Sequence, residues 1–287
     1  MKKICLIAFA AVLAIVNACQ GNAEPEVANP SVESFVYPVQ MTFYGDDHFG
    51  TRTVLNDETI LWESTDVIKV LWGNNRYNTA VAKPYNSGVN AEFTTTVEEA
   101  SSYYGVYPAS ASSSLQSSVL KVTVPSTQTG MFADANIAVA KADNQNGMSF
   151  KHVVSFLEFT IDRVGSLEFS AGSSKALAGV VSVNNFDEYG SPVYEISCES
   201  DSITLDIKSS GTYYIALLPD VKLDELKFTL SDGKTVLVVW SGNSVQMTAG
   251  KLVGLGNITE RFRDPNSMGA TLEDITLEEL TIDEFIW

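Results

Sequence analysis

The sequence predicts an all-β protein made of two tandem β-sandwich bodies. Three observations carry this reading. Short segments of alternating apolar and polar residues recur at about ten-residue spacing, separated by Gly, Asp, Asn and Ser turns, as in sandwiches. Only 18% of the 287 residues are charged while Ser, Thr and Gly are abundant, which disfavours helix bundles. The stretch Ile137–Ile161 reads strand, turn, strand, with strand-like segments in similar number on either side. Its Asp143-Asn144-Gln145-Asn146-Gly147 cluster tolerates turn dihedrals. Its second half, around Val154, Phe156, Leu157 and Phe159, is apolar on nearly both faces, as a strand joining two packed bodies would be.

The chain opens on a basic Met1-Lys2-Lys3 and an unbroken apolar run, Ile4 to Val16, too short for a stable transmembrane anchor and right for a signal peptide. The run ends Val16-Asn17-Ala18-Cys19. A small residue directly before a cysteine at this place resembles a bacterial lipobox. That resemblance implies cleavage before Cys19 and diacylation of its thiol, and two or more acyl chains anchor durably where one does not. Residues 1–18 are therefore read as a lipoprotein signal peptide and 19–34 as a polar tether. The expected sandwiches span 35–148 and 149–262, and 263–287 form an acidic C-terminal tail.

The first strand is Phe35–Tyr44. Phe35, Tyr37, Val39, Met41 and Phe43 share one face at period two, and Pro38 cannot donate to a ladder, so the strand belongs at a sheet edge. An exposed loop, Gly45–Gly50, follows and leads to Arg52, the first arginine of the chain. Strands are expected at Ile60–Trp62, Val67–Trp72, Ala91–Val97, Tyr103–Tyr107, Val119–Val124 and Ile137–Ala140, with a serine-rich loop at Ser110–Ser118. Beyond the junction they are expected near Ser166–Phe169, Gly179–Val183, Ser202–Ile207, Tyr213–Leu218, Leu226–Leu230, Val245–Thr248 and Leu252–Ile258. Asp232-Gly233 reads as a two-residue hairpin turn. In the tail, Thr271-Leu-Glu-Asp-Ile, Thr276-Leu-Glu-Glu-Leu and Thr281-Ile-Asp-Glu-Phe are near copies of one five-residue unit. Period five fits neither a strand nor one helix face. A solvated tail is one reading. A docking segment that inserts Ile282, Phe285 and the terminal Trp287 into a partner is the other.

The formal net charge is −17, and −19 once Lys2 and Lys3 leave with the leader. Such a surface repels nucleic acid and anionic lipid. Cys198 is left without an intramolecular disulfide partner once Cys5 is removed and Cys19 modified, and it reads as a small buried hydrophobe. The two histidines, His48 and His152, lack metal-ligand spacing, and the Asp143–Gly147 turn lacks the glycine and glutamate offsets of a calcium loop. No phosphate loop, nucleophile elbow or Cys–His pair is present. The expectation is therefore no catalytic residue, no metal and no cofactor. Tyr103, Tyr104 and Tyr107 could stack on sugars, though alternating tyrosines in a strand are more often packing residues.

Several segments together resemble the fimbrillin family, the pilins of type V pili. They are Leu61-Trp62-Glu63-x-x-Asp66-x-Ile68-x-Val70, Tyr104-Gly-Val-Tyr-Pro108, Gly130-Met-Phe-Ala133, and Val139-Ala-Lys-Ala-Asp143 with Ser149-Phe-Lys-His-x-x-Ser-Phe-Leu-Glu-Phe-Thr-Ile161. Ala176-Leu-Ala-Gly179, Gly211-x-Tyr-Tyr-Ile-Ala-x-Leu-Pro219 and Leu255-Gly256 complete the set. The resemblance spans roughly residues 50–258 and leaves out the tail. It implies transthyretin-like sandwiches of Greek-key topology, export to the outer membrane as a lipoprotein, and assembly with other pilin subunits by donor-strand exchange in adhesion. A trypsin-like protease would cut after Arg52, the strand carrying Phe35, Tyr37, Val39, Met41 and Phe43 would leave, and a neighbour's C-terminal segment would fill the groove. The alternative is a surface glycan-binding lipoprotein that never polymerises. An enzyme is a distant third.

Overall fold

The computed structural model describes residues 39–45, 54–56, 59–143, 147–172, 175–239, 244–264, 275–276 and 284–286. In chain order the first strands are β1 (Val39–Gly45), β2 (Val54–Asn56), β3 (Thr59–Leu61), β4 (Val67–Trp72), β5 (Arg76–Tyr85), β6 (Asn90–Val97) and β7 (Tyr103–Tyr107). Next come β8 (Ser113–Gln116), β9 (Val119–Val124), β10 (Thr127–Gln128), the short helix α1 (Phe132–Ala135), β11 (Ala138–Ala142), β12 (Lys151–His152) and β13 (Ser155–Ile161). The chain continues through β14 (Gly165–Ser170), β15 (Ala178–Phe186), β16 (Pro192–Ser200), β17 (Ser202–Ile207), β18 (Gly211–Leu217) and β19 (Val221–Leu223). It closes with β20 (Glu225–Leu230), β21 (Thr235–Val239), β22 (Val245–Met247), β23 (Lys251–Asn257), β24 (Ile275–Thr276) and β25 (Glu284–Ile286). The protein is all-β, a β-sandwich built from several mainly antiparallel sheets.

Period-two patterning places most of these strands. In β9, Leu120, Val122 and Val124 are buried while Lys121 faces water. In β6, Ala91, Phe93, Thr95 and Val97 are buried in alternation. β7 is buried at all five positions, because its two faces serve two cores. Tyr103 and Tyr107 enter a cluster around Trp62, Phe93 and Phe150. Tyr104 and Val106 enter the larger cluster that includes Phe156, Phe159 and Phe228. The Tyr-Tyr-Gly-Val-Tyr run is thus a packing sequence, and its tyrosines are not available to stack on sugars.

Gly105, at the centre of that strand, has a steric reason. A Cβ there would lie 2.7 Å from Cζ of Phe150 and 2.9 Å from the sulfur of Met148. Gly130 is constrained similarly, with a positive φ of 77° and a Cβ position 2.5 Å from the Tyr213 ring.

The seven-stranded sheet runs β1-β6-β5-β4-β7-β11-β12. β13 follows immediately and lies in a second sheet, β18-β13-β23-β25. It is the doubly buried strand expected at the junction: Phe156, Leu157 and Phe159 are fully buried. Three of the described ladders cross the boundary drawn between residues 148 and 149, the first of them the antiparallel pairing of β11 with β12. β9 pairs antiparallel with β15, and β10 pairs parallel with β17. The residues from Val36 to Trp287 form one compact unit.

Three local expectations are corrected. Part of the serine-rich loop is strand β8, held by the buried Leu115, whose N–H donates to Asn75 Oδ1 at 2.8 Å. The β20–β21 turn has three residues, because Leu230 N–H bonds the Lys234 carbonyl across Ser231, Asp232 and Gly233. Gly233 takes the positive φ, 84°, that a three-residue hairpin needs at its last position. Finally, β5 and β16 are strands that the sequence pattern did not mark.

Candidate functional site at the sheet edges

A protein that pairs with other chains through strands must present or release a sheet edge. β1 is the terminal strand of the seven-stranded sheet. It begins at the residue after Pro38 and pairs with β6 over seven consecutive positions. Val39, Met41 and Phe43 stand opposite Val97, Thr95 and Phe93. Those three partners are buried at 1%, 7% and 0% exposure.

The core beneath β6 is aromatic. Trp62 meets Phe93 edge-on at 5.0 Å between ring centroids, Tyr107 at 5.4 Å and Phe150 at 5.7 Å. Such edge-to-face contacts add about 0.5–1.5 kcal/mol each beyond burial. The Leu-Trp-Glu-x-x-Asp motif orients this group. Asp66 Oδ2 accepts the Glu63 N–H at 2.7 Å, Asp66 N–H donates to the Glu63 carbonyl at 3.0 Å, and Tyr107 donates its hydroxyl to Asp66 Oδ1 at 3.2 Å. Burial and the neighbouring Asp66 carboxylate raise the Tyr107 hydroxyl far above its ordinary range, so it stays a donor.

Other edges are covered from within the chain. The Gln128 amide caps β18: its Oε1 accepts the Ala216 N–H at 2.9 Å and its Nε2 donates to the Ala216 carbonyl at 2.8 Å. At the C-terminus, β24 lies parallel to β21 and places Ile275 opposite Val238. β25 lies antiparallel to β23 and places Phe285 opposite Leu252. The sequence singled out Phe285 but gave no register for it. Period-five spacing leaves only short runs in strand phase, so these contacts could not be read locally.

Of the other expected site residues, Cys19, Phe35, Tyr37, Arg52, Ile282 and Trp287 lie outside the described residues, as does His48. The turn at 144–146 lies there too, while Asp143 is held by Lys141 at 3.1 Å and Ser102 at 3.0 Å. The Lys141 contact is the larger cause that depresses the Asp143 carboxyl below its ordinary range.

His152 is a structural residue. It is buried, and its Nε2–H donates to Asn136 Oδ1 at 2.7 Å. Burial drives its pKa down to about 3, with Lys151 adding to the shift. Among the described residues no cluster of three His, Cys, Asp or Glu side chains could hold a metal.

The fold and its edges define a β-sandwich protein in which, among the described residues, β1, β24 and β25 each stand at the margin of a sheet. The chain belongs to the fimbrillin-like family, whose model matches residues 51–253. Solved structures that resemble it include a fimbrial assembly protein from Parabacteroides distasonis, at 9% identity and a TM-score of 0.33, covering 77% of this chain and 91% of that one. A candidate cell adhesion protein from Bacteroides fragilis matches at 12% identity and a TM-score of 0.36, covering 82% and 89%. Another from Bacteroides eggerthii matches at 11% identity and 0.32, covering 86% and 96%. No curated protein matches the chain.

Proposed function

We propose that this protein is a structural or accessory subunit of a surface pilus that serves adhesion, without catalytic activity of its own. It is exported as an outer-membrane lipoprotein through Cys19. A trypsin-like protease cuts after Arg52, β1 leaves, and the C-terminal segment of another pilin subunit takes its place.

The observation that carries this reading is the position of β1. It pairs with β6 at a sheet margin, opposite buried positions. Its departure would leave β6 with an unpaired row of backbone groups over the Trp62 cluster. Each large apolar side chain returned to such a slot contributes about 1.5–3 kcal/mol, and backbone pairing fixes register. The C-terminal donor is supported by β24 and β25, since both tail segments pair with strands inside their own chain.

The test is Arg52→Ala expressed on cells. Loss of surface polymer with export intact supports the reading, and full-length pili from the variant refute the processing step. The alternative of a non-polymerising glycan binder loses its original residues, since Tyr103, Tyr104 and Tyr107 are buried.

A further inference from the structure

We propose that the outward face of β5 is a binding surface for an extended neutral oligosaccharide. The strand alternates cleanly. Ala80 and Ala82 point into the Trp62 core, so Tyr77, Thr79, Val81, Lys83 and Tyr85 share the opposite face. Tyr77 is 61% exposed, Val81 54% and Tyr85 43%, which is a great deal for side chains of this size on a regular strand.

The same face of the sheet further along, at Leu71, Tyr104 and Val106, is buried in the larger core. The sheet therefore runs out from under its cover, and β5 lies on the uncovered part.

The chemistry of this face selects among occupants. The apolar groups stand singly, with Thr79 and Lys83 between them. The face therefore has no contiguous apolar centre like the fully buried middle of a protein interface. Of the two lysines, Lys69 is held in place and Lys83 stands beside a carboxylate. Lys83 is 3.7 Å from Glu92, the residue opposite it on β6. Lys69, opposite Thr79 on β4, donates to the Ala111 carbonyl at 2.9 Å and to Ser113 Oγ at 3.0 Å, with its ammonium 5.6 Å from the centre of the Tyr77 ring. Burial lowers the Lys69 pKa as well.

With Lys69 held by Ala111 and Ser113, Glu92 beside Lys83, and a net charge of −17 over the chain, the face disfavours an anionic polymer. The exposed Tyr77 and Tyr85 side chains, bordered by Thr79, Thr96 and Asn90, match the alternating apolar and hydroxyl surfaces of uncharged sugar rings. Eight residues of strand separate Tyr77 from Tyr85, about 27 Å. That length calls for an oligosaccharide lying along the strand.

The test uses the full, uncut chain, so its outcome does not depend on assembly. Cellohexaose, laminarihexaose and mannohexaose are titrated calorimetrically, with a heparin hexasaccharide as the anionic control. At least one neutral hexasaccharide is expected to bind and the heparin fragment is not. Tyr77→Ala and Tyr85→Ala should each weaken binding about three- to tenfold, and the double variant should abolish it. Both positions are exposed, so an unchanged unfolding temperature confirms that the variants fold. The proposal is overturned if no neutral hexasaccharide binds more tightly than about 1 mM. It is equally overturned if the double variant binds as wild type does, or if the heparin fragment binds best. A self-association that the double variant removes would mark the face as a protein interface and also defeat it.

Discussion

Phe43 stands opposite Phe93 in an unbroken ladder between the edge strand β1 and its neighbour β6. Phe93 is fully buried and packs edge-on against Trp62 at 5.0 Å and at a tilt against Phe150 at 6.4 Å. The β6 side of that ladder thus packs into the aromatic cluster of Trp62, Tyr107 and Phe150. Phe93→Ala should remove about 3–5 kcal/mol of stability. It should also weaken retention of β1 after a protease cut. Denaturant unfolding measures the first effect, and the fraction of N-terminal fragment that co-purifies with the cut protein measures the second.

Gly105 is required by its neighbours. Its φ is unremarkable for a strand, but a methyl group would press on the Phe150 ring and the Met148 sulfur. Gly105→Ala should cost about 1–3 kcal/mol through overpacking. Combining it with Phe150→Leu should recover part of that loss. Thermal unfolding of the single and double variants, with Phe150→Leu alone as reference, gives the coupling.

His152 makes stability depend on pH. Its folded pKa, about 3, lies below the ordinary value of 6.5. Between those values the unfolded chain binds the proton and the folded chain does not. Stability from this residue is therefore complete above about pH 6.5 and falls as the pH drops towards 3. Between pH 7 and 5.5 the loss should be about 1 kcal/mol. His152→Gln keeps a side-chain donor for Asn136 and should flatten that part of the curve. Unfolding free energies of both proteins at the two pH values test this, since contributions from other groups cancel in the difference.

Much of this fold was legible in the sequence, and the gaps have physical causes. β4, β6, β7, β9 and β13 announce themselves because burial on one face, or on both, leaves a repeating apolar signature. β5 is silent because small alanines face its core while tyrosine and valine face water, which inverts the usual pattern. β16 is silent for a related reason: Val193 and Ile196 are exposed and glutamates intervene. The ladders from β9 to β15 and from β10 to β17 join segments far apart in sequence, and nothing local encodes such pairing. At the candidate site, the alternation before Tyr44 and the proline at 38 pointed to an edge strand. The pairing of Phe285 with Leu252 had no counterpart in the sequence, because the tail's five-residue period hides its strand phase.

The central claim is that β1 can be exchanged for a segment of another molecule. It is tested most directly by cutting the purified full-length protein with trypsin, then sequencing the N-terminus and sizing the products on an unheated denaturing gel. The account predicts a new N-terminus at Thr53, loss of the preceding fragment and a ladder of multimers. Monomers that hold the fragment ending at Arg52 in place after complete cleavage would contradict it.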